Sequence, residues 1–221
     1  MVDNFELIKT FIVDCDPNFD ANEDSFYSVE IIYRHKDGDT IANLPLSGSN
    51  HRRCIKLYYI NKLSDLDNYK DEIIALCNLF NARAYISVNE KSYEAIVKAN
   101  LVELANRVAN NDYKKPQAIL QSVIGKYVSK NKKWIIDVDS DIADSLNITP
   151  KELVNKLIEI INSFANDVII KVVQSKSGFH IITKPFNIIT FEKQLALNNL
   201  YSNVFDRNLI KKNNPTVLYA K

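Results

Sequence analysis

Trp134-Ile-Ile-Asp-Val-Asp139 reads as an apolar strand that ends in two carboxylates one residue apart. Thr149-Pro-Lys-Glu152 then starts a helix, with Thr149 as N-cap and Pro150 at the first helical position. Leu153, Leu157, Ile160, Ile161 and Phe164 form its inward stripe. Two further strands follow, Val168 to Gln174 and Phe179 to Pro185, joined by Ser175-Lys-Ser-Gly178 as a hairpin turn. A helix from Thr190 to about Leu200 and a closing strand, Thr216-Val-Leu-Tyr219, complete the order β-α-β-β-α-β. That order is the split-βαβ arrangement, also called ferredoxin-like or RRM-like, in which the first and third strands are neighbours.

Upstream, strands are expected at Ser28–Tyr33, Ile55–Ile60 and Ala82–Val88. Helices are expected at Tyr69–Asn81, at Ser92–Asn110 with Ser92 as cap, and from Pro116 to about Tyr127. Gly38 and Gly48 mark turns in polar loops. The fold expected is therefore α+β: an N-terminal α/β lobe, residues 1–127, packed on a C-terminal split-βαβ lobe, residues 128–221.

At 221 residues, 46% hydrophobic and 25% charged, the chain sits in the globular range. A net charge of +1 provides no global basic field, so any polyanion must be met by local patches. Cys15, Cys54 and Cys77 are odd in number and form no C-x-x-C pair. This argues against a disulfide framework or zinc finger and for a reducing, cytoplasmic location. No apolar run approaches a membrane span, and Met1-Val-Asp-Asn-Phe-Glu6 lacks the basic lead of a signal peptide.

Alternation along a strand puts Asp137 and Asp139 on one face, their Cα atoms roughly 6.6 Å apart. Two oxygen donors so placed suit a hard cation, Mg²⁺ or Mn²⁺. Phe11-Ile-Val-Asp-Cys-Asp16 has the same form, but it runs into a Pro-Asn loop with nothing comparable beside it. His180, on the strand adjoining Asp137 and Asp139, comes directly after the Ser175-Lys176-Ser177-Gly178 turn. Hydroxyls, the Lys176 charge and a glycine there form a candidate phosphate clasp, with Lys171 nearby; an ordinary hairpin turn is the plain alternative. His51-Arg-Arg-Cys-Ile-Lys-Leu-Tyr-Tyr59 interleaves cations and aromatics, so Arg52, Arg53 and Lys56, with Arg83 and Tyr85, are candidate contacts for a single-stranded template.

These motifs resemble those of the archaeo-eukaryotic primase superfamily, the primase-polymerases. Ile135-Ile-Asp-Val-Asp139 is similar to the family's hydrophobic-Asp-hydrophobic-Asp strand, and Ser177-Gly-Phe-His180 to its Ser-x-His turn and strand. The resemblance implies a nucleotidyltransferase that joins nucleoside triphosphates on a nucleic-acid template during replication. It implies Asp137 and Asp139 as ligands of Mg²⁺ or Mn²⁺, Ser177 and His180 on the incoming phosphates, and a helicase or other replication protein as partner. The family's third motif, an aspartate on a later strand, departs here: Asn213 and Asn214 stand in its place, leaving Asp206 or Asp141 as compensating donors. A degenerate nucleic-acid-binding relative and a metal-dependent nuclease are the alternative readings.

Overall fold

Alternation along Ser25–Arg34 (β2) builds the larger of two sheets. Tyr27, Val29, Ile31 and Tyr33 enter the main core, whereas Ser28, Glu30, Ile32 and Arg34 point to the opposite face, as a period of two requires. The core face is covered by α1 (Phe5–Cys15) and α2 (Leu63–Leu79), through Phe5, Ile8, Ile12, Leu66 and Ile73. The computed structural model describes residues 1–34, 52–114, 117–127, 131–200 and 209–221. The turns at Gly38 and Gly48, the helix-opening Pro116, and Asp206 lie outside them.

The protein is mixed α+β, with two antiparallel sheets and, among the described residues, seven α-helices. Around β2 the first sheet has the order β1 (Val2–Asp3), β10 (Pro215–Ala220), β4 (Arg83–Ser87), β2, β3 (Arg52–Ile60), and β5 (Lys91–Ser92) also pairs with β2. Helices α3 (Tyr93–Ala109) and α4 (Gln117–Lys126) cover one end of its second face, where Phe26 packs with Ile96, Ile119 and Val123. Ser92 caps α3 by accepting from the Ala95 N–H at 3.1 Å. No helix among the described residues is long and apolar enough to cross a membrane.

The second sheet has the order β7 (Ile169–Gln174), β8 (Gly178–Thr183), β6 (Trp134–Asp139), β9 (Ile210–Lys211). Helices α5 (Ser140–Ser145), α6 (Pro150–Asn162) and α7 (Ile188–Leu197) belong to the same part of the chain. The α6 start is a capping box: Thr149 Oγ1 accepts from the Glu152 N–H at 3.2 Å, and Glu152 accepts from the Thr149 N–H at 2.7 Å. Leu153, Leu157, Ile160 and Ile161 of α6 bury one face of this sheet at Ile136, Val138 and Ile181. On its other face Ile135, Val173 and Ile182 join the core of the first sheet. The sheets thus share a core, and the residues that follow Ile135 in alternation, Asp137 and Asp139, fall at its open rim.

Two expectations are overturned. The closing strand does not complete the second sheet; it lies between β1 and β4 in the first, and Ile210–Lys211 fills the fourth place beside β6. Every residue from Thr216 to Ala220 is buried, with Leu218 and Tyr219 on the core side and Val217 and Ala220 packed with Val2 and Tyr85 on the other. A strand buried on both faces needs a central position, which the larger sheet supplies. Phe11–Asp16 is not a strand either, because Phe5, Ile8, Phe11 and Ile12 recur at helical spacing and are all buried in α1. Asp14 therefore leaves the helix toward Lys171 Nζ, 3.0 Å away, which removes Lys171 from the proposed phosphate turn.

Candidate active site

The β6–β8 ladder sets the site. Asp137 is paired with His180 and Asp139 with Gly178. His180 Nε2 lies 3.3 Å from Asp137 Oδ1, and its Nδ1 lies 2.8 Å from Thr216 Oγ1 of β10. Thr216 thereby holds Nδ1 and leaves Nε2 to face Asp137. The His180 side chain is 10% exposed and is oriented from both sheets. Burial pushes the Asp137 carboxyl up, but His180 outweighs this by hydrogen bond and charge, aided by Lys211 and Arg34. The net result is a carboxyl held below its ordinary range, and so ionised at neutral pH.

Asp139 is held by the turn instead. Ser177 Oγ donates to Asp139 Oδ1 at 2.9 Å, and the Ser140 N–H donates to the Ser177 carbonyl at 2.7 Å. Gly178 serves this contact: a Cβ there would stand 1.9 Å from the Val138 carbonyl oxygen. Only glycine lets β8 begin so close to β6. Ser175 is 6% exposed and lines the cleft, and its hydroxyl has no hydrogen-bond partner among the described residues. Lys176 is exposed at the tip of the turn and is not part of the cleft lining.

The facing wall comes from the first sheet. Arg34 and Ile32 of β2, Arg83 and Tyr85 of β4, and Val217 of β10 line the same cleft as Asp137, Asp139, Ser175, Ser177 and His180. Lys211 of β9 and Asn214 complete the lining. Arg34 Nη1 donates to the Tyr85 hydroxyl at 3.0 Å, which steadies the guanidinium at the rim. Three cationic side chains, Arg34, Arg83 and Lys211, thus face two carboxylates.

Among the expected template contacts, Arg83 lies in this cleft. Lys56 does not: it pairs with Ile31 on the helix-covered face and binds Glu72 of α2 at 2.5 Å. Arg53 is opposite Tyr33, whose ring is also in that core, so it too belongs to the far face. The Arg52 side chain lies outside the described residues. Asn213 is a strut, donating to the carbonyls of Gly125 at 2.7 Å and Tyr127 at 3.2 Å. Asp141 is exposed in the first turn of α5.

Arg34, Lys211 and Thr216 were not anticipated. Continuing the alternation past Tyr33 puts position 34 on the face of Glu30 and Ile32, which was a usable signal. Nothing local marks Lys211 or Thr216, which reach the site through long-range pairing.

Asp137 and Asp139 offer oxygen donors on one face, suited to Mg²⁺ or Mn²⁺ with remaining positions left to water and ligand oxygens. Among the described residues, no group of three or more His, Cys, Asp or Glu side chains is arranged as a self-sufficient metal cage. No family model, curated protein or solved structure matches the chain.

Proposed function

We propose that the cleft is the active site of a nucleotidyltransferase of the primase-polymerase type. It takes a nucleoside triphosphate and a divalent cation and extends a strand on a single-stranded template in the cytoplasm. The observation that carries this reading is the convergence of Asp137, Asp139 and His180 from one sheet with Arg34 and Arg83 from the other. The order β7-β8-β6-β9, with β6 and β8 adjacent, supports a split-βαβ catalytic lobe packed on an α/β lobe, the arrangement the motif resemblance implies.

Asp137 and Asp139 would hold Mg²⁺ or Mn²⁺, which supplies Lewis acidity toward the attacking 3′-hydroxyl and charge neutralisation at the leaving pyrophosphate. The chain's own groups do the rest. Arg34, Arg83 and Lys211 offset the triphosphate charge, and such pre-positioned charge carries most of phosphoryl-transfer catalysis. His180, fixed by Thr216, orients one oxygen of Asp137 and leaves the other for the cation. The Ser175 hydroxyl, without a partner among the described residues, is a donor available to a phosphate oxygen. The template and a replication helicase belong to this reading as partners.

Primer extension with labelled nucleotides and Mn²⁺ tests it. Asp137→Asn and Asp139→Asn, verified as folded by circular dichroism, are each expected to lose at least about 10²-fold in incorporation. Undiminished incorporation by either variant sinks the assignment. Shortened instead of lengthened strands would indicate a nuclease.

A further inference from the structure

A second cavity continues the cleft along the same face of the first sheet, lined by Ser28, Glu30, Ser87, Lys91 and Asn89 and closed by Ile124 and Gly125 of α4. The two cavities share Tyr85, Asn214 and Pro215, so they are compartments of one groove. Glu30 pairs with Tyr85 and Ile32 with Arg83, which fixes their sequence along the groove. With ~3.3 Å per strand residue, the Cα atoms of Glu30 and Arg34 lie ~13 Å apart along the groove.

Glu30 is the anomaly of this compartment. It is half-buried, and no hydrogen bond or direct ion pair reaches its carboxyl among the described residues. Burial raises its pKa, and the charge of Lys91 opposes that only in part. Lys91 is committed elsewhere, its Nζ donating to the Ile124 carbonyl at 2.9 Å. An ionised carboxylate is acceptor-only, and a half-buried one without donors is a group awaiting a ligand. Two adjacent hydroxyls supply paired donors, and acidic side chains bind ribose in this manner.

We infer that Glu30 accepts hydrogen bonds from the 2′- and 3′-hydroxyls of a ribonucleotide whose phosphates occupy the Arg34–Asp137 compartment, and so selects ribonucleotides over deoxyribonucleotides. This inference rests on the nucleotide reading of the cleft and adds the sugar to it.

Calorimetric titration of the full chain with ATP, 2′-deoxy-ATP and inorganic tripolyphosphate in Mg²⁺ separates the two ideas. The wild type is expected to bind ATP about tenfold more tightly than 2′-deoxy-ATP. In Glu30→Gln and Glu30→Ala, checked for folding by thermal melting, that ratio falls toward one. Equal affinities in the wild type, or an undiminished ratio in both variants, overturn the Glu30 assignment. If tripolyphosphate and a nucleotide bind while the ratio is one, only the sugar inference fails. If neither nucleotide nor tripolyphosphate binds, the nucleotide reading fails and takes the inference with it. A wild-type ratio of one overturns the inference even if both variants misfold.

Discussion

His180 stands directly across the β6–β8 ladder from Asp137, Nε2 to Oδ1 at 3.3 Å, with its other ring nitrogen anchored 2.8 Å from Thr216. The two sheets are joined at this point, since Thr216 belongs to the first and the other two residues to the second. The Asp137 carboxyl is consequently held below its ordinary range despite burial, by His180 first and by Lys211 and Arg34 after it. A depressed folded-state pKa adds stability that is fully present above the unfolded value, ~3.9, and is lost as pH falls through the lower folded value. Carbon-13 titration of Asp137 is expected to give a midpoint below ~3.9, moving upward in His180→Gln. A midpoint at or above the ordinary value in the wild type would contradict the electrostatic account.

Gly178 has no room for a side chain, because the obstructing atoms are the Val138 carbonyl at 1.9 Å and Asp139 Cα at 3.2 Å, both backbone. Gly178→Ala must displace β8 from β6. Overpacking of this kind costs roughly 1–3 kcal/mol, and urea denaturation is expected to record a loss of that size or larger. A variant as stable as the wild type would mean that the strands are farther apart than described.

Thr149 and Glu152 close the capping box of α6, whose apolar face covers the back of the second sheet. Thr149→Ala removes the acceptor for the Glu152 N–H and is expected to lower unfolding stability by about 1 kcal/mol. The same urea experiment measures it; no change in midpoint would remove the cap from the account of this helix.

Lys56 and Arg83 lie on opposite faces of the first sheet. Arg83→Ala is expected to weaken tripolyphosphate binding about tenfold or more, since it removes a cationic side chain from the cleft proposed to hold the phosphates. Lys56→Ala should leave that affinity alone. It breaks an exposed pair with Glu72, a kind of contact that contributes about 0–1 kcal/mol, and a cation–π contact with the Tyr58 ring on the same far face. The reverse ranking in a calorimetric titration would put the anion site on the helix-covered face.

The meeting of Asp137 with His180 was legible from residue order alone, because period-two alternation and adjacent antiparallel strands leave few other partners for a histidine six residues after Gln174. The Thr149 and Ser92 caps were equally local and equally readable. The sheet to which Thr216–Tyr219 belongs was not, since a strand buried on both faces fits the middle of any sheet. Phe11-Ile-Val was too short an apolar run to distinguish strand from helix without Phe5 and Ile8 before it. Alternation along β2 gives the face of Arg34, but what Arg34 and Lys211 contribute depends on how two sheets face each other, which no local pattern encodes.

The most direct measurement is a crystal soaked with Mn²⁺ and a nucleoside triphosphate, with anomalous scattering locating the ion. The account predicts Mn²⁺ between the Asp137 and Asp139 carboxylates, with phosphates against Arg34, Arg83 and Lys211. An ion bound away from both carboxylates, or a triphosphate seated outside this cleft, would contradict it.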